Sequence, residues 1–498
     1  MCTHQKCQFI LFYRIQFIKG VFKKMIVLDN DSRVPLYLQI YEQLKEEIIS
    51  GQLLEGSKLY STRTLATTLN VSRNTVESAY LQLSSEGYVT SKAGSGFIVE
   101  KLDSMLITKL KRDNSVNIEK NKQTTLPKMN SDNNYKYNFK YGKLHASDFP
   151  LRLWRRISNK CLASIDADVM TSYTSSKGEK ELRIEIMNYL NKSRGVSCTS
   201  EQIIITSGFE QCLSLLCQMF RNNFSKVALE DPGYIGARNI FNNNGYDVVP
   251  ISLDKDGINI TELENNSAKI VYVTPSHQFP TGSVMPIQKR LQLLDWARRE
   301  NGIIIEDDYD SELRYNSRPI PSIQGIDSKC CVIYIGTFSK SFSPSLRLNY
   351  MVLPQSLLEI YDNFFSSYQT SVPIVEQKII QQFMHLGHWD SHLRKISLLN
   401  KRRHDMLIHS IHKFMGDNVI VHGKNAGLHI LLELNNGLSE EEIIKKAKEY
   451  GVIVSPVSTY WLRKDKYSNN MVFIGFGGMT ESEIAEGINL LSKAWFSK

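Results

Sequence analysis

The chain has 498 residues, with 42% apolar and 22% charged side chains and a formal net charge of +9. That length calls for two or more domains with ample core, the composition excludes a fibrous or wholly disordered chain, and the charge permits an anionic partner without naming one. The eight cysteines contain no Cys-x-x-Cys pair, which suits reduced, buried thiols in a cytosolic protein.

Residues 1–24 include "FILFYRIQFIKGVF", which is apolar but interrupted by Arg14 and Lys19, with no small-residue cleavage site after it. No apolar run reaches the ~20 residues that span a bilayer. The segment reads as a disordered extension, with Met25 a plausible start of the domain sequence.

Residues 25–100 are dense with helical periodicity. Leu36, Ile40, Leu44 and Ile48 recur at i+4 in a first helix that Gly51 stops. Ser61 caps a second helix with Leu65, Ala66 and Leu69 inward. After a turn at Asn70 and Val71, Ser72 caps a third helix, with Val76, Ala79, Tyr80 and Leu83 inward and Gly87 at its end. "GYVTSKAGSGFIVE" reads as a hairpin turned at Gly94-Ser95-Gly96. Helix, turn, helix and hairpin make a winged helix-turn-helix, whose third helix enters a DNA major groove by its N-terminal residues. Arg63, Ser72, Arg73, Asn74, Thr75, Lys92, Gly94 and Gly96 are the candidate DNA-facing residues. The region carries six basic and nine acidic residues, which argues against a general nucleic-acid clamp. However, "KLYSTRTLATTLNVSRNTVESAYLQLSSEGYVTSKAGSGFIV" closely resembles the DNA-binding domain of the GntR family of bacterial regulators. One departure is Tyr60, where that family has proline; the residue is expected to begin a helix, at little cost.

Residues 101–136 are polar, with eight basic and four acidic residues, and read as a flexible linker that can lean on a nucleic-acid backbone. Residues 137–498 alternate helical segments with short β-branched runs: "QIIITSG", "KVALEDPGY", "KIVYVTP", "GIIIEDDYD" and "CVIYIGTFSK". Buried strands ending in turns, with helices between them, predict an α/β domain on a mostly parallel sheet. Ligand sites in such sheets sit at the carboxyl ends of the strands.

Lys340, in "GTFSKSFSPSLRLNYM", lies at one of those ends. A lysine can form a Schiff base with an aldehyde cofactor such as pyridoxal 5′-phosphate (PLP). The remaining needs of PLP each find a candidate. Ser207, Gly208 and Phe209, between a strand and a helix, can present N–H groups to the phosphate, as can Thr337 and Arg347 beside the lysine. Asp307 can pair with the ring nitrogen, Tyr309 can reach the phenolic oxygen, and Tyr234 can stack on the ring. Each is weak alone; their order and placement at strand ends together carry the reading.

With these motifs, residues 137–498 resemble a fold-type I aminotransferase. The whole chain after residue 25 resembles the MocR subfamily of GntR regulators, on "EDPGY", "TPSHQFPTG", "IEDDYDSE" and "GTFSKSFSPSLRLNYM". The resemblance implies that Lys340 bonds PLP, Asp307 holds the ring nitrogen, Tyr309 the phenolic oxygen, and Arg347 and Thr337 the phosphate. It implies that Tyr173, in "YTSSKGEKELR", reaches the phosphate of a partner subunit in a head-to-tail homodimer. Two positions depart from working aminotransferases. Phe279 replaces the asparagine near the phenolic oxygen, where His277 or Gln278 can compensate in part. Phe473 stands where an arginine grips the substrate carboxylate, with Arg238 and Arg314 as candidate replacements. A phenyl ring cannot do a guanidinium's work.

The expectation is therefore a cytoplasmic, PLP-dependent transcription regulator that binds a double-stranded operator and senses PLP or a PLP–amine adduct, with PLP itself the narrower choice. The alternatives are an aminotransferase with a DNA-binding appendage, and a DNA-binding dimer on an inert scaffold. No membrane and no metal enter any of them.

Overall fold

The structure is a computed structural model that describes residues 26–32, 34–92, 96–102, 135–315, 320–327 and 331–497. The expected extension at 1–24, residues 103–134 of the expected linker, and Gly94 lie outside the described residues. The chain forms two compact units, 1–130 and 131–498.

In the first unit, α1 (Leu36–Ile49), α2 (Thr62–Leu69) and α3 (Arg73–Ser85) precede the antiparallel strands β1 (Val89–Lys92) and β2 (Gly96–Val99). The local causes are those read from the sequence. The Ser61 and Ser72 hydroxyls accept from the N–H groups of Thr64 and Thr75 at 3.0 and 3.1 Å, satisfying donors that a helix start leaves open. Asn70, at φ 53°, closes α2 in the left-handed region. Ile40, Leu44, Ile48, Leu65, Val76, Ala79, Tyr80 and Leu83 fill one core. Tyr60 does not begin a helix. It precedes the Ser61 cap, and its carbonyl accepts from the Tyr80 hydroxyl at 3.1 Å.

The second unit is built on an eight-stranded sheet. In chain order its strands are β4 (Ile203–Thr206), β5 (Lys226–Asp231), β6 (Asp247–Asp254), β7 (Gly257–Ile258), β8 (Ile270–Val273), β9 (Ile303–Asp308), β10 (Val332–Thr337) and β11 (Asn349–Val352). They lie in the order β4-β11-β10-β9-β8-β5-β6-β7. The five strands from β10 to β6 are parallel, while β11 runs against both of its neighbours and β7 against β6. Every residue of β4, β8 and β11 is buried, as two covered faces require. Helix α4 (Phe209–Phe220) follows β4 directly and buries Leu213, Leu216 and Phe220 on the sheet.

The carboxyl-terminal part forms an antiparallel sheet of β12 (Val419–His422), β13 (His429–Leu434), β15 (Ser455–Pro456) and β16 (Met471–Gly475). β14 (Val452–Ile453) pairs in parallel with β3 (Tyr137–Asn138), which ties the start of the unit to its end. Tyr141, just past β3, is thereby brought beside β16. Among the described residues no helix is long and apolar enough to cross a membrane. Cys161, Cys198, Cys212, Cys217 and Cys331 are all free thiols.

Candidate functional site

Five parallel or neighbouring strands end at one edge, and the loops after them carry the candidate residues. Lys340 follows β10, and its Nζ sits 4.1 Å from the centre of the Tyr141 ring. Burial lowers the Lys340 pKa, against the opposing pull of Asp310 and Asp307. A lysine so placed is the kind that loses its proton and becomes a nucleophile.

Asp307 is buried near the end of β9. Burial pushes its carboxyl up to about 7, while a hydrogen bond from Tyr272 (2.5 Å) and the charge of Lys340 work the other way. Tyr234 meets Phe209 edge-on at 5.5 Å and Phe279 at 5.4 Å. The Tyr309 hydroxyl donates to the carbonyl of His277 at 2.8 Å and lies 3.0 Å from its Nδ1.

The phosphate candidates gather where β4 turns into α4. Gly208 has φ 107°, and a Cβ there would lie 2.2 Å from a terminal nitrogen of Arg347. Only glycine lets the guanidinium lie against this helix start. Arg347, itself left-handed at φ 50°, pairs with Glu210 in the first turn of α4. The Ser207 N–H, expected to face a phosphate, instead donates to Gln211 Oε1 at 2.7 Å. The Thr337 hydroxyl donates to Asn349 at 3.1 Å and accepts the Ser339 N–H at 3.0 Å.

Phe279 and Phe473 belong to one aromatic cluster. Their centroids are 5.7 Å apart, and the fully buried Phe473 ring stacks on His429 at 4.4 Å. Tyr141 and Tyr460 close round them. Neither candidate arginine enters this cluster. Arg238 donates to the Thr459 carbonyl at 3.1 Å, and Arg314 to that of Ser276 at 3.3 Å. Gln278 is also committed elsewhere, donating to the carbonyls of Pro232 and Phe279 at 2.9 and 2.6 Å. Tyr173 is 92% exposed.

The residues fit PLP on three observations. The buried Tyr141 hydroxyl, on the ring beneath Lys340, has no hydrogen-bond partner among the described residues. The Asp307 carboxyl is buried and suits a protonated ring nitrogen. Gly208 and Arg347 form a cradle of N–H groups and positive charge at a helix N-terminus. Tyr141, Tyr272, His429 and Glu210 had gone unnoticed in the sequence. A scan of strand ends could have found Glu210, in the first turn of α4; Tyr141 and His429 come from distant segments.

Of the residues expected to face DNA, Arg63, Arg73 and Asn74 are exposed at the starts of α2 and α3. The Ser72 hydroxyl is engaged in its cap and lies 2.8 Å from Thr75 Oγ1. Gly96 pairs with Lys92 at the turn end of the hairpin and has φ 82°. The Lys92 side chain lies outside the described residues.

Comparison with known proteins agrees with both halves. Residues 36–99 match the family model described as bacterial regulatory proteins, gntR family. Residues 142–491 match aminotransferase class I and II. The uncharacterized HTH-type transcriptional regulator YdeL of Bacillus subtilis is 40% identical, across 94% of this chain and 98% of that one. The probable rhizopine catabolism regulatory protein MocR of Rhizobium meliloti is 31% identical across 95% and 96%. The HTH-type pyridoxine biosynthesis transcriptional regulator PdxR of Corynebacterium glutamicum is 27% identical across 93% and 98%.

Proposed function

This chain belongs to the MocR subfamily of GntR-family transcription regulators, and from that premise we propose that PLP, bound without an amino-acid partner, is its effector. The observation that carries this reading is Phe473. It fills the place of the carboxylate-gripping arginine with a fully buried ring, packed against Phe279 and His429. An amino acid brought there would lose its hydration for no charge-assisted bond in return. One relative's name, a regulator of pyridoxine biosynthesis, points the same way.

When bound, PLP supplies an electrophilic carbon for a primary amine and a ring that accepts electron density. The chain's own residues do the rest. Burial lowers the Lys340 pKa, which favours the neutral amine that such a bond requires. Asp307, as a carboxylate, would accept a hydrogen bond from the protonated ring nitrogen, with the Tyr272 hydroxyl donating to its Oδ2. Arg347 and the N–H groups at Gly208 and Phe209 would hold the phosphate, with Thr337 alongside, and the Ser207 N–H would join them on leaving Gln211. Tyr234 would stack on the ring, and the Tyr309 hydroxyl would turn from the His277 carbonyl to donate to the phenolic oxygen. The exposed Tyr173 is assigned to the phosphate of a partner subunit in a head-to-tail homodimer. Loading the large unit then changes the affinity of the winged-helix pair for its half-sites, as linkage requires of any effector with unequal affinity for two states.

The test is binding of the full-length protein to DNA from upstream of its own gene, titrated with and without PLP, beside Lys340→Ala. A PLP-dependent change in affinity or footprint that the variant loses is the expected result. Binding indifferent to PLP and to the variant overturns the proposal. Multiple turnover with an amino donor and a 2-oxo acid would favour an enzyme instead.

A further inference from the structure

The asparagine that Phe279 replaces leaves the phenolic-oxygen side of the site short of one donor. We propose that His277, anchored by Asp310, makes up for it at one remove, as the positioning residue behind Tyr309. This inference rests on the PLP reading above.

The His277 Nδ1 lies 2.9 Å from Asp310 Oδ2 and 3.0 Å from the Tyr309 hydroxyl. Asp310 is 1% exposed and His277 2%. A buried carboxylate needs a donor, so Nδ1 carries the proton, and it lies within reach of both oxygens. The Tyr309 hydroxyl donates to the His277 carbonyl at 2.8 Å; turned toward the cofactor while its oxygen accepts from Nδ1–H, it becomes a stronger O–H donor, because hydrogen bonds in a chain polarise one another. Burial, with Asp310 and Tyr141 nearby, also raises the Tyr309 pKa, so the hydroxyl keeps its proton to give. Gln278, the other residue next to Phe279, is spent on loop carbonyls.

The surroundings are shaped to this imidazole. A Cβ at Gly427, where φ is +77°, would fall 2.1 Å from His277 Cε1 and 2.6 Å from Asp310 Oδ2. One at Gly282, where φ is +71°, would come within 3.1 Å of His277 Nε2. His429 lies against the ring at 5.0 Å and ties its own Nε2 to the Pro280 carbonyl at 3.0 Å, fixing the loop. The titratable groups that face this arrangement are Asp310, Tyr309, His429, Lys340, Asp307, Tyr141, Tyr272 and Arg314.

Donation from Tyr309 would favour the ionised form of the bound cofactor's phenolic oxygen, and so lower the pH at which the cofactor loses its proton. Weakening the support behind Tyr309 therefore moves the pH midpoint of the bound cofactor's absorbance upward. The experiment is a pH titration of that absorbance in the full-length, PLP-loaded protein. His277→Leu should raise the midpoint by about one pH unit. His277→Asn, which keeps a donor near the Nδ1 position, should stay close to wild type. Asp310→Asn should move it the same way by less, and serves should the leucine variant fail to fold. In a Tyr309→Phe background, His277→Leu should add nothing. A wild-type midpoint in His277→Leu or in Asp310→Asn overturns the inference. So does a shift that persists without the Tyr309 hydroxyl, which would mark a merely structural role. A wild-type protein with no Lys340-dependent absorbance overturns the PLP reading, and is told apart because no midpoint exists to move.

Discussion

Phe279 and Phe473, the two positions that depart from a working aminotransferase, are in contact, with ring centroids 5.7 Å apart. On that resemblance, a polar group expected at the cofactor and one expected at the substrate are replaced by one apolar cluster, so the changes read as a single rebuilding of the site. Phe473 is fully buried there. Truncation to alanine should cost about 3–5 kcal/mol, as large-to-small changes in packed aromatic cores do. Phe473→Leu should cost less. Denaturant unfolding of the large unit checks this, and equal stability of Phe473→Ala and wild type would remove the packing role.

Gly208 offers a sharper test of the phosphate cradle. Alanine there meets both a φ of 107° and a guanidinium 2.2 Å from the new Cβ. The backbone strain alone is about 1–3 kcal/mol, and Arg347 must move away from the helix start. The expected outcome is PLP affinity down by at least tenfold, read by equilibrium dialysis. Unchanged affinity would place the phosphate elsewhere.

Arg347 pairs with Glu210, and both side chains are more than half exposed. Such a pair is worth no more than about 1 kcal/mol, so an incoming phosphate displaces the glutamate at small cost. Glu210→Gln removes the competitor and a like charge facing the phosphate. PLP should then bind several-fold more tightly, with the gain shrinking as salt rises. Weaker binding in this variant would mean that Glu210 positions the arginine and does not compete for it.

Much of this site was legible because parallel strands announce themselves. Runs such as Ile203–Ile205 and Ile303–Ile305 have no polar face, and the residue types that follow them are what a ligand at the strand ends requires. Helix caps at Ser61 and Ser72 were legible for a local reason, since one hydroxyl serves an N–H three residues on. Tyr141 and His429 were not, because what places them is pairing over long sequence distances. β3 joins β14 more than 300 residues later, and β13 lies against β16. The sequence marked Phe279 and Phe473 as absences; only the fold brings them together. Tyr60 was misread because a one-residue shift of a helix start lies below what spacing resolves.

The DNA-facing reading separates two kinds of residue at the start of α3. Ser72→Ala removes the cap on Thr75 and should cost about 1 kcal/mol of stability in the small unit. Arg73 and Asn74 are exposed, so their alanine variants should leave the thermal midpoint of that unit in place while weakening operator binding. A phosphate contact from Arg73 would lower the salt slope by about one and weaken all sequences alike. A base contact would relax one operator position. Full affinity in both variants would remove α3 from the groove.

Asp307 gives the site a pH signature that is independent of DNA. Burial is the chief cause that pushes its folded pKa up to about 7, from an ordinary aspartate value of about 3.9. Between those values the folded protein holds a proton that the unfolded chain has released. Stability therefore falls as pH rises through this window and is flat above it. Glu230, Glu306 and Glu312, each raised to about 7 by burial, slope the same way. Asp307 alone contributes at most about 4 kcal/mol to the fall. Asp307→Asn should make the decline of the cofactor-free protein shallower, in thermal scans from pH 4 to 8. PLP should do the same in wild type, because a cation beside Asp307 holds it ionised, and should do nothing to the slope of the variant. Equal slopes for wild type and Asp307→Asn would mean that the carboxyl is already neutralised within the fold, and that the ring nitrogen finds its partner elsewhere.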